Sequence, residues 1–293
     1  MANISAKQVK ELRDITGVGM MAAKKALIEV DGDLDKAVDF LRAKGVDTMA
    51  KKADRIAAEG LAATHISGNT AAIAEVNSET DFVAKNENFK AMVDQIVKAI
   101  AENKPADNEA VLALEVDGKT VEELIIENTS KIGEKLSFRR FEIIEKTDND
   151  VFGEYVHGGG RIAALVLVEG MQDEDMAKDV AMHVAAINPQ FVSSDQVPQD
   201  VYDHEKQIQT EKSLAEGKPA NIVEKMVEGR MSKFLAEISL VDQPFVKDGN
   251  ISVAKFLAEK GGKATKFVRF EVGEGMEKRN DDFAAEVASQ MSK

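Results

Sequence analysis

One plan occurs twice in this sequence, and it limits what the chain can fold into. Residues 61–77 (LAATHISGNTAAIAEVN) form two apolar-rich runs around Ser67-Gly68-Asn69, a hairpin signal. Residues 151–170 (VFGEYVHGGGRIAALVLVEG) read again as strand, glycine turn, strand. Each hairpin is followed by a helical pattern stopped near a proline: residues 86–102 before Pro105, then EDMAKDVAMHVAAINPQF. Each unit closes on a further strand. KLSFRRFEIIEK ends the first near Lys146. In TKFVRFEVGEG, Phe267, Arg269, Phe270 and Glu271 match Phe138, Arg140, Phe141 and Glu142. Two related α+β subdomains, each a small antiparallel sheet with helices, satisfy this pattern.

Helices flank and interrupt the repeat. The first ~45 residues read as three short helices punctuated by glycines. The first has Ser5 as N-cap, Val9, Leu12 and Ile15 on one face, and Gly17 at its end. The second buries Ala23, Leu27 and Val30; the third runs through Leu34, Val38 and Leu41 to Gly45. In the loop TGVGMM, Val18, Met20 and Met21 are either core plugs or an exposed apolar patch for a partner. DTMAKKADRIAAEG is a helix or helical linker ended by Gly60, and Thr120 with Glu123 forms a capping box. Between the second unit's helix and its last strand lie two helices joined by KPA, an antiparallel hairpin with Val201, Ile208 and Ala215 facing Val223, Met226 and Phe234 or Ile238. Its stripe either seals the hairpin or recruits another chain. The ending GEGMEKRNDDFAAEVASQMSK is a polar linker and a last helix with Phe283, Val287 and Met291 on one side.

Composition narrows the function. With 44% hydrophobic and 31% charged residues the chain reads as an ordinary globular protein. No apolar run approaches the ~18 residues needed to cross a bilayer, the start MANISAKQVK has no signal-peptide core, and there is no Cys. These features predict a cytoplasmic protein with no membrane association, no disulfides and no thiolate metal site. A net charge of −14, with no Arg-rich patch interleaved with aromatics, argues against direct nucleic-acid binding.

Catalytic motifs do not assemble. GKT at residues 118–120 lacks the first glycine of a phosphate loop, Ala113 standing in its place, and reads as a turn feeding the Thr120 cap. HGGGR at residues 157–161 resembles an oxyanion-hole loop, but no G-x-S-x-G elbow exists, so it reads as a hairpin turn with His157 near its tip. The histidines at 65, 157, 183 and 204 have no metal-binding spacing, and His183 reads as packed or capping. The expectation is no enzyme, no cofactor and no metal. One stretch stays conspicuous, NSETDFVAKNENF at residues 77–89, where a scarce aromatic, Phe82, follows an acid as a strand gives way to a helix. By spacing alone Phe82 is an ordinary core residue starting that helix.

Several long motifs agree with one family. KELRDITGVGMMAAKKAL, NSETDFVAKN, AMHVAA, EKMVEGRM, QPFV and RFEVGEG…DFAAEVA, in that order from end to end, resemble the bacterial translation elongation factor Ts family. The resemblance implies a ubiquitin-associated-like three-helix domain (1–54), core subdomains at 55–146 and 147–271, a hairpin insertion at about 190–240, and a C-terminal module (272–293). It implies guanine-nucleotide exchange on elongation factor Tu, bound in its GDP-loaded and nucleotide-free states, with no bond made or broken. Carried over by motif, Thr80, Asp81, Phe82 and Val83 belong to the partner contact, with Asp81 and Phe82 the pair that intrudes beside the partner's Mg²⁺–GDP site. Met20, Met21 and Lys24 belong to the N-terminal contact, and Ile132, His157 and Val246 fall on further contact positions. One factor on one partner and a two-plus-two complex or dimer through the hairpins both remain open. A general peptide-binding adaptor and a metal-dependent hydrolase are the alternatives.

Overall fold

The computed structural model describes residues 4–16, 18, 20–217 and 219–277. The C-terminal helix expected through Phe283, Val287 and Met291 lies outside the described residues, as does Gly17.

The N-terminal helices are α1 (Ala6–Thr16), α2 (Met20–Glu29) and α3 (Leu34–Lys52). Ser5 and Gln8 cap α1 reciprocally: Gln8 N–H donates to Ser5 Oγ and Ser5 N–H to Gln8 Oε1. Val9, Leu12, Ala23, Ala26, Leu27 and Ala37 form a small shared core. Ile15 leaves the face expected of it and is 55% exposed. The third helix does not stop at Gly45, as the sequence suggested, but continues to Lys52. Gly45 is where α3 crosses a later helix so closely that a Cβ would stand 2.8 Å from Ile126 Cγ2. The glycine serves packing rather than termination.

The first sheet unit runs β1 (Glu59–Ser67), β2 (Thr70–Ser78), α4 (Asp81–Ala84), α5 (Glu87–Asn103), α6 (Asn108–Leu112), β3 (Glu115–Val116), β4 (Lys119–Thr120), α7 (Val121–Ile132) and β5 (Leu136–Glu145). Gly60, expected to end a helix, lies instead within β1. Strand order is β1-β2-β5, antiparallel throughout. The Asn86 side chain caps α5, and Thr120 with Glu123 caps α7 in a reciprocal box, as the spacing of that pair predicts. Ion pairing of Arg42 with Glu123 adds to the α3–α7 crossing.

The second unit contains β6 (Val151–His157), β7 (Ile162–Glu169), α8 (Glu174–Ile187), α9 (Gln199–Ala215), α10 (Ala220–Ile238), β8 (Pro244–Phe245), β9 (Asp248–Ser252), α11 (Val253–Ala258) and β10 (Lys263–Glu271). Its sheet, β6-β7-β10, repeats the first topology: a hairpin whose second strand receives the late strand. The repeat is fuller than the sequence motifs indicated. Both units carry a small hairpin that runs into a capped helix: it turns at Asp117-Gly118 in the first unit and at Val246-Lys247 in the second, with Thr120 capping α7 and Ser252 capping α11. Helices α9 and α10 pack together, but on Val223, Val227 and Met231 with Tyr202 and Phe234. Ile208, expected in that seam, is 42% exposed.

Strand alternation divides the side chains of each sheet. Ala72, Ala74 and Val76 of β2 face the helices of their own unit, as do Ala164, Val166 and Val168 of β7. The intervening Ala71, Ile73, Ala163, Leu165 and Leu167 meet between the sheets with Ile144, Phe152 and Phe270. The core therefore has helices outside and two sheets face to face. Glu75 of β2 is fully buried at this seam. Its carboxylate accepts from Gly273 N (2.8 Å), Arg139 Nη1 (2.9 Å), Asn77 Nδ2 (3.0 Å) and Arg140 Nε (2.6 Å). Burial raises the Glu75 pKa, but these four donors outweigh it and hold the carboxyl below its ordinary 4.5.

Glu75→Ala, which leaves two arginines facing a hole, is expected to cost about 3–5 kcal/mol in urea unfolding. Because the folded pKa is depressed, the stabilising contribution is complete above pH 4.5 and disappears as pH falls through the folded value. Glu75→Gln should flatten the stability–pH curve in that acid range; equal slopes for both proteins would refute the ionised clamp.

Candidate functional site

The stretch leaving β2 is built to present one aromatic. Ser78 Oγ donates to Thr80 O (2.9 Å), and Thr80 is extended (φ −130°, ψ 157°) before the single turn of α4. The Thr80 hydroxyl does not cap that turn. It donates to Glu134 Oε1 (2.8 Å) while Thr80 N–H donates to Glu134 Oε2 (3.0 Å). Glu79 pairs with Arg55 (3.2 Å) and accepts the Lys135 N–H (2.6 Å). Two carboxylates thus tie residues 79–80 to the 133–135 loop. Asn86 Oδ1, accepting from Asn88 and Phe89 N–H, restarts the helix as α5.

Within this frame the apolar residues separate by task. Val83 faces the first core, and Phe89 is wholly buried there. Phe82 is 78% exposed, against its expectation from spacing. Lys85 donates to Asp81 Oδ2 (2.6 Å) and stands 5.7 Å from the Phe82 ring centre. That hydrogen bond, with a smaller contribution from Arg161, holds the Asp81 carboxyl below its usual 3.8, so it is ionised at neutral pH.

The glycine turn lies close by. Gly158, Gly159 and Gly160 have φ of 60°, 67° and 100°, which a residue with a side chain rarely adopts. Gly160 O accepts the Ala62 N–H (2.7 Å), and Arg161 Nη1 pairs with Glu59 Oε2 (3.1 Å). Glu59 is the register partner of Ser78, so this ion pair joins the turn to the root of the Thr80–Phe82 segment. His157 is exposed, with its ring 6.1 Å from that of Tyr155. Ile132, the last residue of α7, half-buries against the first core just before the Glu134 clamp. Thr80, Asp81, Phe82, Ile132 and the His157 turn are therefore linked through short bonded paths.

Met20, Met21, Lys24 and Val246 are exposed elsewhere, on α2 and on the β8–β9 turn. Val246 is positioned by His183. Its N–H donates to His183 Nδ1 (3.1 Å), which leaves the ring proton on Nε2 to donate to Gln243 Oε1 (2.8 Å). Gln243 Nε2 in turn donates to Glu237 O (2.6 Å), which fixes its amide orientation. Burial lowers the His183 pKa from 6.5, with the Gln243 bond opposing it. Glu79, Glu134, Arg161 and His183 were not legible as positioning residues, because each partner is remote in sequence; only the AMHVAA motif drew notice to His183. No group of three or more His, Asp or Glu able to hold a metal occurs among the described residues, and no described helix is long and apolar enough to cross a membrane.

Because the folded His183 resists protonation, stability should be complete above pH 6.5 and decline as pH falls below it. Urea unfolding at about pH 7.5 and about pH 5.5 should show a larger loss for the wild type than for His183→Gln. An equal loss in both proteins would show that His183 titrates freely.

Comparison with known proteins adds two findings. The family model described as Elongation factor TS matches residues 79–274. Elongation factor Ts of Pediococcus pentosaceus is 60% identical over 291 residues, 99% of each chain. The proteins of that name from Lacticaseibacillus casei and Lacticaseibacillus paracasei are each 59% identical over 292 residues, again 99% of each chain.

Proposed function

The chain belongs to the elongation factor Ts family, and on that premise we propose that it binds GDP-loaded elongation factor Tu and promotes nucleotide release without catalysing a chemical reaction. The observation that carries this reading is Phe82, an aromatic 78% exposed on a one-turn helix whose root is clamped by Glu79 and Glu134. Exposing such a ring is unfavourable unless a partner covers it, and Phe offers roughly 150–250 Å² to bury.

In this reading Asp81 and Phe82 enter beside the partner's Mg²⁺–GDP site, with Thr80 and Val83 anchoring them. Mg²⁺ needs near-ideal octahedral coordination, so a small displacement of the groups that support it weakens nucleotide binding. The rigid clamp favours this, because a wedge on a mobile loop would yield before the partner did. The ionised Asp81 competes for polar groups near the metal. Coupling is reciprocal: a factor that weakens GDP binding is itself weakened by GDP, and it leaves when GTP binds. Ile132 and His157 extend the same surface. Met20, Met21 and Lys24 grip the partner from the N-terminal helices, and Val246 does so from the second unit.

We also propose the domain division 1–54, 55–146, 147–271 and 272–293, with a ubiquitin-associated-like first domain. The separate N-terminal core and the two sheet-plus-helix cores support it. The α9–α10 pair is proposed as the inserted hairpin, its exposed Ile208, Leu214 and Ile222 available for a dimer or two-plus-two assembly.

Phe82→Ala is expected to lower stimulated GDP release from the partner at least ~10-fold, about 1.4 kcal/mol of lost stabilisation, with an unchanged melting transition. Asp81→Ala should lose less, since the ring rather than the charge supplies the wedge. A Phe82→Ala protein that releases GDP at the wild-type rate would sink the assignment.

A further inference from the structure

With no cysteine in the chain, oxidant chemistry falls to its 12 methionines. Most of those described are shielded: Met92, Met171 and Met231 lie in the cores, and others are partly covered. Among the described methionines only Met20 and Met21 are exposed, at 60% and 76%. They are adjacent in the first turn of α2, whereas Ala23, Ala26 and Leu27 of that helix turn into the core. A polar atom added to either sulfur therefore meets water in the free protein, and the fold can absorb the change.

We propose that Met20 and Met21 form a reversible oxidation site that switches off partner binding under peroxide stress. Hydrogen peroxide transfers one oxygen to a thioether sulfur. The S–O bond forms as the O–O bond breaks, sulfur loses two electrons, and the peroxide leaves as water. The product sulfoxide is polar and chiral, and methionine sulfoxide reductases return it to the thioether with electrons from a dithiol. In the free chain the new oxygen is hydrated. Under a partner it must be desolvated on a surface that received an apolar thioether, so the same change disfavours the complex. The effect on binding rests on the function proposed above; the selectivity of oxidation does not.

The test treats the full chain with hydrogen peroxide and maps sulfoxides by peptide mass spectrometry. Met20 and Met21 should oxidise well before Met92 and Met231, and bound partner should protect them. GDP release stimulated by the oxidised protein should fall about tenfold and recover after treatment with the two reductases and dithiothreitol. In Met20→Leu/Met21→Leu, whatever its starting activity, peroxide should change release less than twofold. Oxidation spread evenly over all methionines overturns the site, and selective oxidation with unchanged release overturns the switch. Failure of the exchange reading looks different: the untreated protein then does not stimulate GDP release at all.

Discussion

A carboxylate with no exposed surface sits where the two sheets meet, and the arrangement of the molecule depends on how Glu75 is satisfied. Its oxygens accept from Asn77 on its own strand, from Arg139 and Arg140 on β5, and from Gly273 in the turn after β10. Arg140 also donates to Glu271 O (3.1 Å) and lies over the Phe270 ring at 4.2 Å, so the same cation contacts both sheets. An unpaired buried charge would be very costly, and that cost makes the relative placement of the sheets specific. The surrounding Ile73, Ile144, Leu165 and Phe152 contribute area but little direction.

That seam also sets the geometry of the proposed contact surface. Because β1 and β2 are held against β7, the β6–β7 turn reaches Ala62 and Glu59, and the segment leaving β2 emerges beside it. The side chains that shape the segment belong mostly to other elements: Glu134 follows α7 and Arg55 follows α3. The exposed ring of Phe82 is thus held by polar contacts at its root rather than by packing of the ring itself. Val83 and Phe89 meet the needs of the core, which leaves Phe82 available to another molecule.

Much of the fold was legible because it is local. Hairpin turns at Gly68-Asn69 and at Gly158–Gly160, the caps at Ser5 and Thr120, and the repeated late strands all follow from neighbours within a few residues. Misreadings arose where a remote partner outweighed a local preference. Gly45 resembled a helix stop, but the helix it sits in continues because its bare backbone is what lets α3 cross α7. The heptad through Val201, Ile208 and Ala215 pointed to the wrong face of α9, whose contact with α10 uses Tyr202 and Ser213, the latter accepting from Arg230 (2.9 Å). The small hairpin β8–β9 was not legible, because its turn, Val246-Lys247, carries no glycine or asparagine, whereas a glycine marks the one before α7.

By itself the sequence determined the α+β class, the internal repeat, the family, and the short motif that contains Asp81 and Phe82. Periodicity, turn chemistry and long ordered motifs are properties of neighbouring residues, so they survive without coordinates. Tertiary structure alone decided which residues face outward and what positions them. Phe82 and Val83 have nearly identical local surroundings, yet one is 78% exposed and the other 6%. The difference comes from how the sheet, α5 and the Glu134 clamp orient one helical turn, because burial is a property of the assembled surface rather than of a residue's neighbours in the chain.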